Sequence, residues 1–423
     1  MSRALRLTRE GAWVVAGQFA AVLGSLVAVK VLTNLLDPAS YGAYALALTL
    51  ASLVIQTLLG PLNNGATRFL AAARERGESA AYIAAVRGLL LIAIGVVAAG
   101  AASIIVVLSI AGWGNIVLLA VAALVFSGAS GAAYIFNGLF NAARLRSLYA
   151  FFIGLEPWAR VLCAAALILS FGASSFEAMA GQAAAAIIIL LLQIGPIRRF
   201  GLFSAADQDR ATQWRRQIVG YAWPFAFWGV FTWLQIASDR WALQAFGTTA
   251  DVGVYAVLFQ LGYYPVLIAT GAVMEFIAPI LYQRAGDASD RRRLDGAVSV
   301  ARRAAAGALL LALAGFAVAA LLHEFIFTLL AAPAYAHVSY LLPFLVLSSG
   351  LFSAGQSLTL ALSSQLRSRA LLAVKVGTSL CGVAFNVAGA AIAGTEGVVA
   401  GSLAFSLVYL VAMLIVSRHR AAA

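Results

Sequence analysis

Six ionisable residues stand inside long apolar runs of this sequence: Lys30, Glu156, Arg160, Asp239, Arg240 and Glu275. A charge placed in hydrocarbon costs about 2.5–3.5 kcal/mol on insertion scales, so such a group is expected to face a cavity or a partner. Lys30 lies 14 residues before Tyr44, and Arg240 lies 15 before Tyr255. Allowing one gap, the two cations hold equivalent places in two similar segments. They are expected to face each other across a central cavity and to bind an anionic group there. Fixed positive charge in a low dielectric suits an anion, and an arginine fork can hold two oxygens at once. The alternative for each is a side chain that snorkels outward to lipid headgroups.

Glu156 and Arg160 are spaced four apart on one helix face, where they can neutralise each other. They read either as a structural ion pair or as a cavity cation tuned by its neighbour. Asp239 adjoins Arg240, and adjacent helical residues do not face each other, so Asp239 is expected to serve another contact. Glu275 is a lone carboxylate four residues beyond Gly271. It reads either as an acid that couples proton movement to transport or as a hydrogen-bonding group for a neighbouring helix.

Composition dictates the elements that must position these residues. Of 423 residues, 63% are hydrophobic and 10% are charged, with a mean hydropathy of +0.95. A soluble domain carries roughly 25% charged residues, so this chain lacks the polar surface to face water. The apolar residues fall in runs of about 20, long enough to cross ~30 Å of hydrocarbon as helices. Alternating strand patterns are absent, which excludes a β-barrel. Cys163 and Cys381 sit inside apolar runs without metal-ligand spacing and read as small packing residues. The first apolar run, Gly11 to Leu36, is too long for a signal peptide and reads as an uncleaved spanning helix.

Twelve helices are expected, at 12–35, 41–66, 82–110, 115–140, 147–171, 176–195, 217–245, 252–282, 300–330, 338–364, 369–393 and 396–417. The connections are short except 196–216 and 283–299, which are polar and basic. Of the 28 Lys and Arg residues, 25 fall in the two tails or in the even-numbered loops and the helix ends that flank them. The odd-numbered loops carry no Lys or Arg but do carry Asp37, Glu177, Asp251, Glu324 and Glu396. Basic loops stay on the cytoplasmic side, so both termini are expected to be cytoplasmic. This distribution accounts for the net charge of +12 without nucleic acid.

An internal repeat sits on this map. Tyr41-Gly42-Ala43-Tyr44-Ala45-Leu46 matches Val252-Gly253-Val254-Tyr255-Ala256-Val257 at an offset of 211 residues, and Gly60 then falls on Gly271. Leu145-Arg146-Ser147 matches Leu366-Arg367-Ser368, and Ala180-Gly181 matches Ala400-Gly401, at offsets of 221 and 220. A duplicated six-helix unit follows. The expected architecture is an all-α polytopic membrane protein of two pseudo-symmetric six-helix bundles, at 1–197 and 217–423, joined by a cytoplasmic linker at 198–216. Transporters built from repeats hold their substrate between them, near the midplane.

Leu36-Asp37-Pro38-Ala39-Ser40-Tyr41-Gly42-Ala43-Tyr44 resembles the Leu-Gly-Pro-x-x-Tyr-Gly-x-Tyr turn of the polysaccharide transporter, or O-antigen flippase, family. That family belongs to the multidrug/oligosaccharidyl-lipid/polysaccharide (MOP) superfamily. Gly60 to Ala71, with Arg68 before Phe69-Leu70-Ala71, is similar to the family's end of helix two. Asp239-Arg240 before Gly253-x-Tyr255 is similar to its turn between helices seven and eight, and Pro279 also fits. Asp37 stands where the family usually has Gly.

The resemblance implies a MATE-like V of two bundles that opens alternately to each side of the bacterial inner membrane. It implies an undecaprenyl-pyrophosphate-linked oligosaccharide repeat unit as substrate, flipped for O-antigen (lipopolysaccharide), capsule or exopolysaccharide assembly. An H+ or Na+ counter-ion, a polysaccharide polymerase and glycosyltransferases are the expected partners. On this reading Lys30, Arg160 and Arg240 meet the pyrophosphate. Trp233, Gln235, Asn63 and Asn64 meet the sugar, because indole faces stack on apolar sugar surfaces while amides bond hydroxyls. Asp239, Glu156 and Glu275 take coupling or gating roles. The Trp residues also suit an interface belt.

Other functions fit less well. A multidrug exporter of the same superfamily expels small cations and wants an acidic cavity. A lipid II flippase usually carries helices beyond twelve. A membrane-embedded glycosyltransferase or polymerase needs a catalytic acid or metal pair in a sizeable outer loop, and the outer loops here are a few residues long. The sequence contains no Walker motif, Gly-rich phosphate loop, zinc signature or Ser/His/Asp grouping. Neither enzyme chemistry nor a metal or cofactor is expected.

Overall fold

The computed structural model describes residues 3–199, 207–285, 291–365 and 367–418. These residues form helices joined by short turns, with no strand among them. Helix α1 spans Arg3–Leu35. Helix α2 (Pro38–Val54) passes through a π-helical turn, Ile55–Leu59, into α3 (Gly60–Arg68), followed by the short α4 (Leu70–Glu75). Then come α5 (Ser79–Ile110), α6 (Gly114–Ala142), α7 (Arg146–Phe171) and α8 (Ser175–Arg198). The second part holds α9 (Gln208–Phe246), α10 (Thr249–Ala285) and α11 (Arg291–Leu330). A 3-10 turn, Pro333–Leu341, leads into α12 (Leu342–Ser364), and α13 spans Ser368–Arg418.

Ten segments among the described residues are long and apolar enough to cross a membrane. The expected twelve differ from these ten at two places, each with a physical cause. Helix α9 has 39 residues but is not among the ten. In its uncharged stretch Tyr221, Trp223, Pro224, Trp228, Trp233 and Gln235 dilute the aliphatic residues, and its first turns are polar. The span Ala370–Ser417 counts once, yet its 48 residues would reach about 72 Å as a straight helix, far more than a bilayer needs. It breaks at Ala393 (φ −142°, ψ 23°) and Gly394 (φ 54°, ψ −128°). The positive φ at Gly394 is one that a side chain rarely tolerates. This break falls at the turn expected between the eleventh and twelfth helices.

Two further boundaries depart from expectation. The polar connections expected at 196–216 and 283–299 are helical over 208–216 and 291–299. Both extensions are amphipathic and find a surface to pack on. On α9, Ala211, Trp214 and Ile218 are buried among residues of α3, α4 and α5. The indole N–H of Trp214 donates to Glu78 (3.0 Å), which also pairs with Arg210 (3.2 Å). On α11, Ala297 and Ala301 pack with Leu281, Leu360 and Ala361.

The chain divides into two compact units. One holds Met1–Leu36 and Ala43–Trp233, and the other holds Asp37–Gly42 and Leu234–Ala423. In the first, α7 packs against α1 and α8, and α6 against α5 and α8. In the second, α12 is central, packed against α10, α11 and α13. Apolar lipid provides no hydrophobic drive between helices, so close packing of small residues supplies the attraction. Gly17 meets the Ala150 carbonyl, and Trp158 donates its indole N–H to the Ala20 carbonyl (3.0 Å), locking α1 to α7.

Within the second unit, the repeat-matched glycines Gly42 and Gly253 meet backbone to backbone. A methyl group on Gly42 would lie 1.8 Å from the Thr249 carbonyl oxygen, and one on Gly253 would lie 2.0 Å from that of Pro38. Backbone cannot retreat as a flexible side chain can. Gly42→Ala is therefore expected to cost about 1–3 kcal/mol, the range for overpacking. Gly95→Ala, in open space, is expected to cost nothing. Thermal unfolding of the detergent-solubilised variants checks this, and equal midpoints for both would refute the contact.

Candidate functional site

Four of the six ionisable candidates form two pairs, Glu156 with Arg160 in the first unit and Asp239 with Arg240 in the second. In the first unit, Arg160 sits on α7, 14 residues from Arg146 and 11 from Phe171, about 21 and 17 Å from the helix ends. Glu156 precedes it by one turn, at 3.6 Å from carboxylate oxygen to guanidinium nitrogen. That pair is loose, and both side chains stay partly open, at 28% and 34% exposure. Ser130 on α6 donates to Glu156 at 3.4 Å.

A firmer grip on Arg160 comes from elsewhere. Its Nε donates to the Gln182 amide oxygen on α8 at 2.5 Å, and its guanidinium lies 4.5 Å from the ring centre of Phe126 on α6. Gln182 and Phe126 are both buried. The Gln182 amide, its oxygen bonded to Arg160, is also hydrogen-bonded to the hydroxyl of Tyr44 on α2. The guanidinium is thus fixed on one edge and on one face, while the rest is held weakly by Glu156. Such a cation can exchange its carboxylate for another anion without being rebuilt.

The second unit closes its cluster. Asp239 and Arg240, on α9, have side chains only 4% and 10% exposed. Contrary to the expectation for adjacent helical residues, they interact. Asp239 Oδ1 accepts from the Arg240 backbone N–H (2.6 Å) and from its guanidinium (3.4 Å). The long arginine side chain folds back along its own helix, where it also donates to the Ile236 carbonyl at 3.0 Å. The fully buried Tyr255 on α10 donates its hydroxyl to Asp239 Oδ2 at 2.8 Å. The guanidinium lies 4.9 Å from the ring centre of Phe259. Both oxygens of the carboxylate, and one nitrogen and a face of the guanidinium, are met from within.

The two clusters are related by the repeat. Tyr44 and Tyr255 are 211 residues apart, and Gln182 and Ser402 each follow the matched Ala-Gly pairs at an offset of 220. Tyr44 bonds Gln182, and Tyr255 lies 3.4 Å from Ser402 Oγ. The same two positions are therefore joined in each half. Gln182, Tyr44, Phe126, Ser402 and Phe259 are absent from the sequence-based candidates. The available signal was a polar residue directly after each matched Ala-Gly in an otherwise apolar run.

The remaining candidates are more dispersed. Lys30 is half-buried on α1 in the first unit, whereas Arg240 belongs to the second. Trp233 is half-buried and donates its indole N–H to the Thr49 carbonyl at 2.8 Å, within the first unit. Gln235, half-buried, falls in the second. Asn63 is buried with its amide oxygen against Gly138, and Asn64 is exposed. Glu275 sits on α10, with its side chain outside the described residues.

Comparison with known proteins agrees with this architecture. The family model described as "Polysaccharide biosynthesis protein" matches residues 7–284, and the chain belongs to that family. Its fold is that of the MOP superfamily transporters. The structure is similar to the lipid II flippase MurJ in an inward closed conformation, with a TM-score of 0.71 at 11% identity, covering 97% of this chain and 88% of that one. It is similar to an inward-facing multidrug resistance MATE transporter, with a TM-score of 0.68 at 16% identity, covering 95% and 94%. A variant of the Vibrio cholerae MATE transporter VcmN gives 0.65 at 17% identity, covering 98% and 96%. No curated protein matches. The chain is a multi-pass membrane protein of a polysaccharide biosynthesis family, with a fold shared with MATE transporters and the MurJ flippase.

The two clusters should respond differently to loss of their acids. Asp239→Ala leaves a buried guanidinium uncompensated and is expected to destabilise the protein by about 3–5 kcal/mol. Replacing Arg240 by Met in the same chain should restore much of the loss. Glu156→Ala, at a partly exposed pair, is expected to change stability by no more than about 1 kcal/mol. Denaturation of the three variants in detergent measures both effects.

Proposed function

We propose that this chain flips a polyprenyl-pyrophosphate-linked oligosaccharide across the inner membrane by alternating access, and that Arg160 receives the pyrophosphate. The observation that carries this reading is the state of Arg160 itself. It lies at mid-span depth, is aimed by Gln182 and Phe126, remains 28% exposed, and is paired only loosely with Glu156. A pyrophosphate brings oxygens that an arginine fork binds in pairs, and its charge outcompetes a carboxylate held at 3.6 Å. Lys30, in the same unit, adds a second positive charge as a more mobile point cation. Arg240 takes a structural role in this scheme, because Asp239, Ile236 and Phe259 already occupy its guanidinium.

The reading also favours an anionic lipid-linked substrate over a cationic drug. A drug cation would meet repulsion at Arg160, and among the described residues the acid paired with that arginine is Glu156. The family membership points the same way.

The test is complementation in a strain whose own copy of this chain is deleted. Arg160→Ala is expected to lower surface polysaccharide about 10–100-fold, the equivalent of one charge-assisted hydrogen-bonded contact of about 1.5–3 kcal/mol. Arg160→Lys should fall between, because it keeps the charge but loses the bond to Gln182. Wild-type polysaccharide levels from Arg160→Ala at wild-type expression would refute the assignment.

A further inference from the structure

We infer that Arg215 and Gly88 form a binding site for the phosphate of an anionic glycerophospholipid, in the groove where α9 meets α5 in the first unit. The site is separate from the Arg160 cluster and does not depend on the proposed transport activity.

The guanidinium of Arg215 lies across the bare Cα of Gly88. A methyl group there would be 3.5 Å from Nε and 3.7 Å from Cζ. Among the described residues the only hydrogen bond from this guanidinium is a long one to the Gln208 amide oxygen, at 3.4 Å. Its Nε is buried and finds no acceptor among them. A guanidinium held by one long bond keeps donors for an anionic acceptor beyond the described residues. The neighbouring acids are engaged. Glu78 accepts from Arg210 and from Trp214, and Asp207 pairs with Arg210 at 3.3 Å. Arg87 and Arg216 adjoin the two site residues in sequence and add positive charge.

The depth is that of a headgroup. On α5 no charged residue follows Arg87 through Ile110, and on α9 none follows Arg216 until Asp239. The contact between Arg215 and Gly88 therefore lies where the apolar stretches of both helices begin. Beyond that point the exposed surface suits acyl chains. Leu91 and Ile92, one turn past Gly88, are 61% and 58% exposed. Val219 and Trp223, at successive turns past Arg215 on the same face, are 48% and 64% exposed. A tryptophan at this level is the usual residue of a membrane interface. A free phosphate would meet Arg215 but would gain nothing from these four side chains. A phosphodiester carrying two acyl chains uses both parts of the groove.

Native mass spectrometry of the purified full-length chain in detergent tests the site. The probes are phosphatidylglycerol, phosphatidylcholine with the same acyl chains, and inorganic phosphate. Wild type is expected to retain phosphatidylglycerol in preference to the other two. Arg215→Gln should weaken that retention about tenfold, as expected for one charge-assisted contact. Gly88→Leu should do the same, because its longer side chain occupies the place of the guanidinium. Arg303→Gln, at an exposed arginine of α11, should leave it unchanged. Should Arg215→Gln fail to fold, the Gly88→Leu comparison and the lipid preference of wild type decide. The proposal is overturned if Gly88→Leu or a folded Arg215→Gln holds phosphatidylglycerol as wild type does. It is also overturned if phosphatidylcholine binds equally well, or if inorganic phosphate occupies the site with the same dependence on Arg215.

Discussion

A guanidinium in the middle of an apolar helix cannot borrow water, so its hydrogen bonds must come from the protein or from a ligand. Arg160 of α7 and Arg240 of α9 meet that demand in opposite ways. Arg240 has a carboxylate, a carbonyl and an aromatic face, and its carboxylate is held in turn by Tyr255. Removing water from such a cluster is tolerable only because each charge has a partner. Arg160 has one short bond, one aromatic face and a carboxylate that stands off. The same side chain is structural where its partners are complete, and available where they are not.

The rest of the molecule serves this arrangement. Gln182 can aim Arg160 because α8 packs against both α6 and α7, which brings an amide, a ring and a guanidinium to one place. Packing that close requires small residues where helices cross, and glycines take those positions. Gly181, directly before Gln182, rests on the Ala164 backbone one turn beyond Arg160. In the second unit, Gly401 rests on the Phe385 carbonyl directly before Ser402, the residue beside Tyr255. Each half thus places a polar residue next to a glycine contact, so the side chain that bonds the tyrosine is held by backbone.

Helix extents show how packing revises a reading based on polarity. The stretches 208–216 and 291–299 are polar enough to read as loops, yet each has apolar positions at helical spacing. In α9 these are Ala211, Trp214 and Ile218, all buried. An amphipathic turn becomes helix when its apolar side has a surface to cover. The α9 extension also sets Arg215 against Gly88 of α5.

The sequence by itself determined the class of the protein. Scarcity of charge, apolar runs of bilayer length and one-sided basic loops follow from chain-wide physics, and no particular contact is needed to read them. The repeat was legible in the same way, since matched offsets survive in order along the chain. Lys30, Glu156, Arg160, Asp239, Arg240 and Glu275 stood out because a charge is costly in any apolar span. What the sequence could not convey was which of these charges is satisfied. Arg160 and Gln182 are 22 positions apart, and Tyr255 and Ser402 are 147 apart. Neither pairing leaves a periodic trace. Only the folded bundle decided that Asp239 turns toward Arg240 and Tyr255, and that Arg160 keeps one side unclaimed. Hydrophobicity acts on every residue independently and can be summed along a chain, whereas a hydrogen bond exists only when two distant groups are brought within about 3 Å.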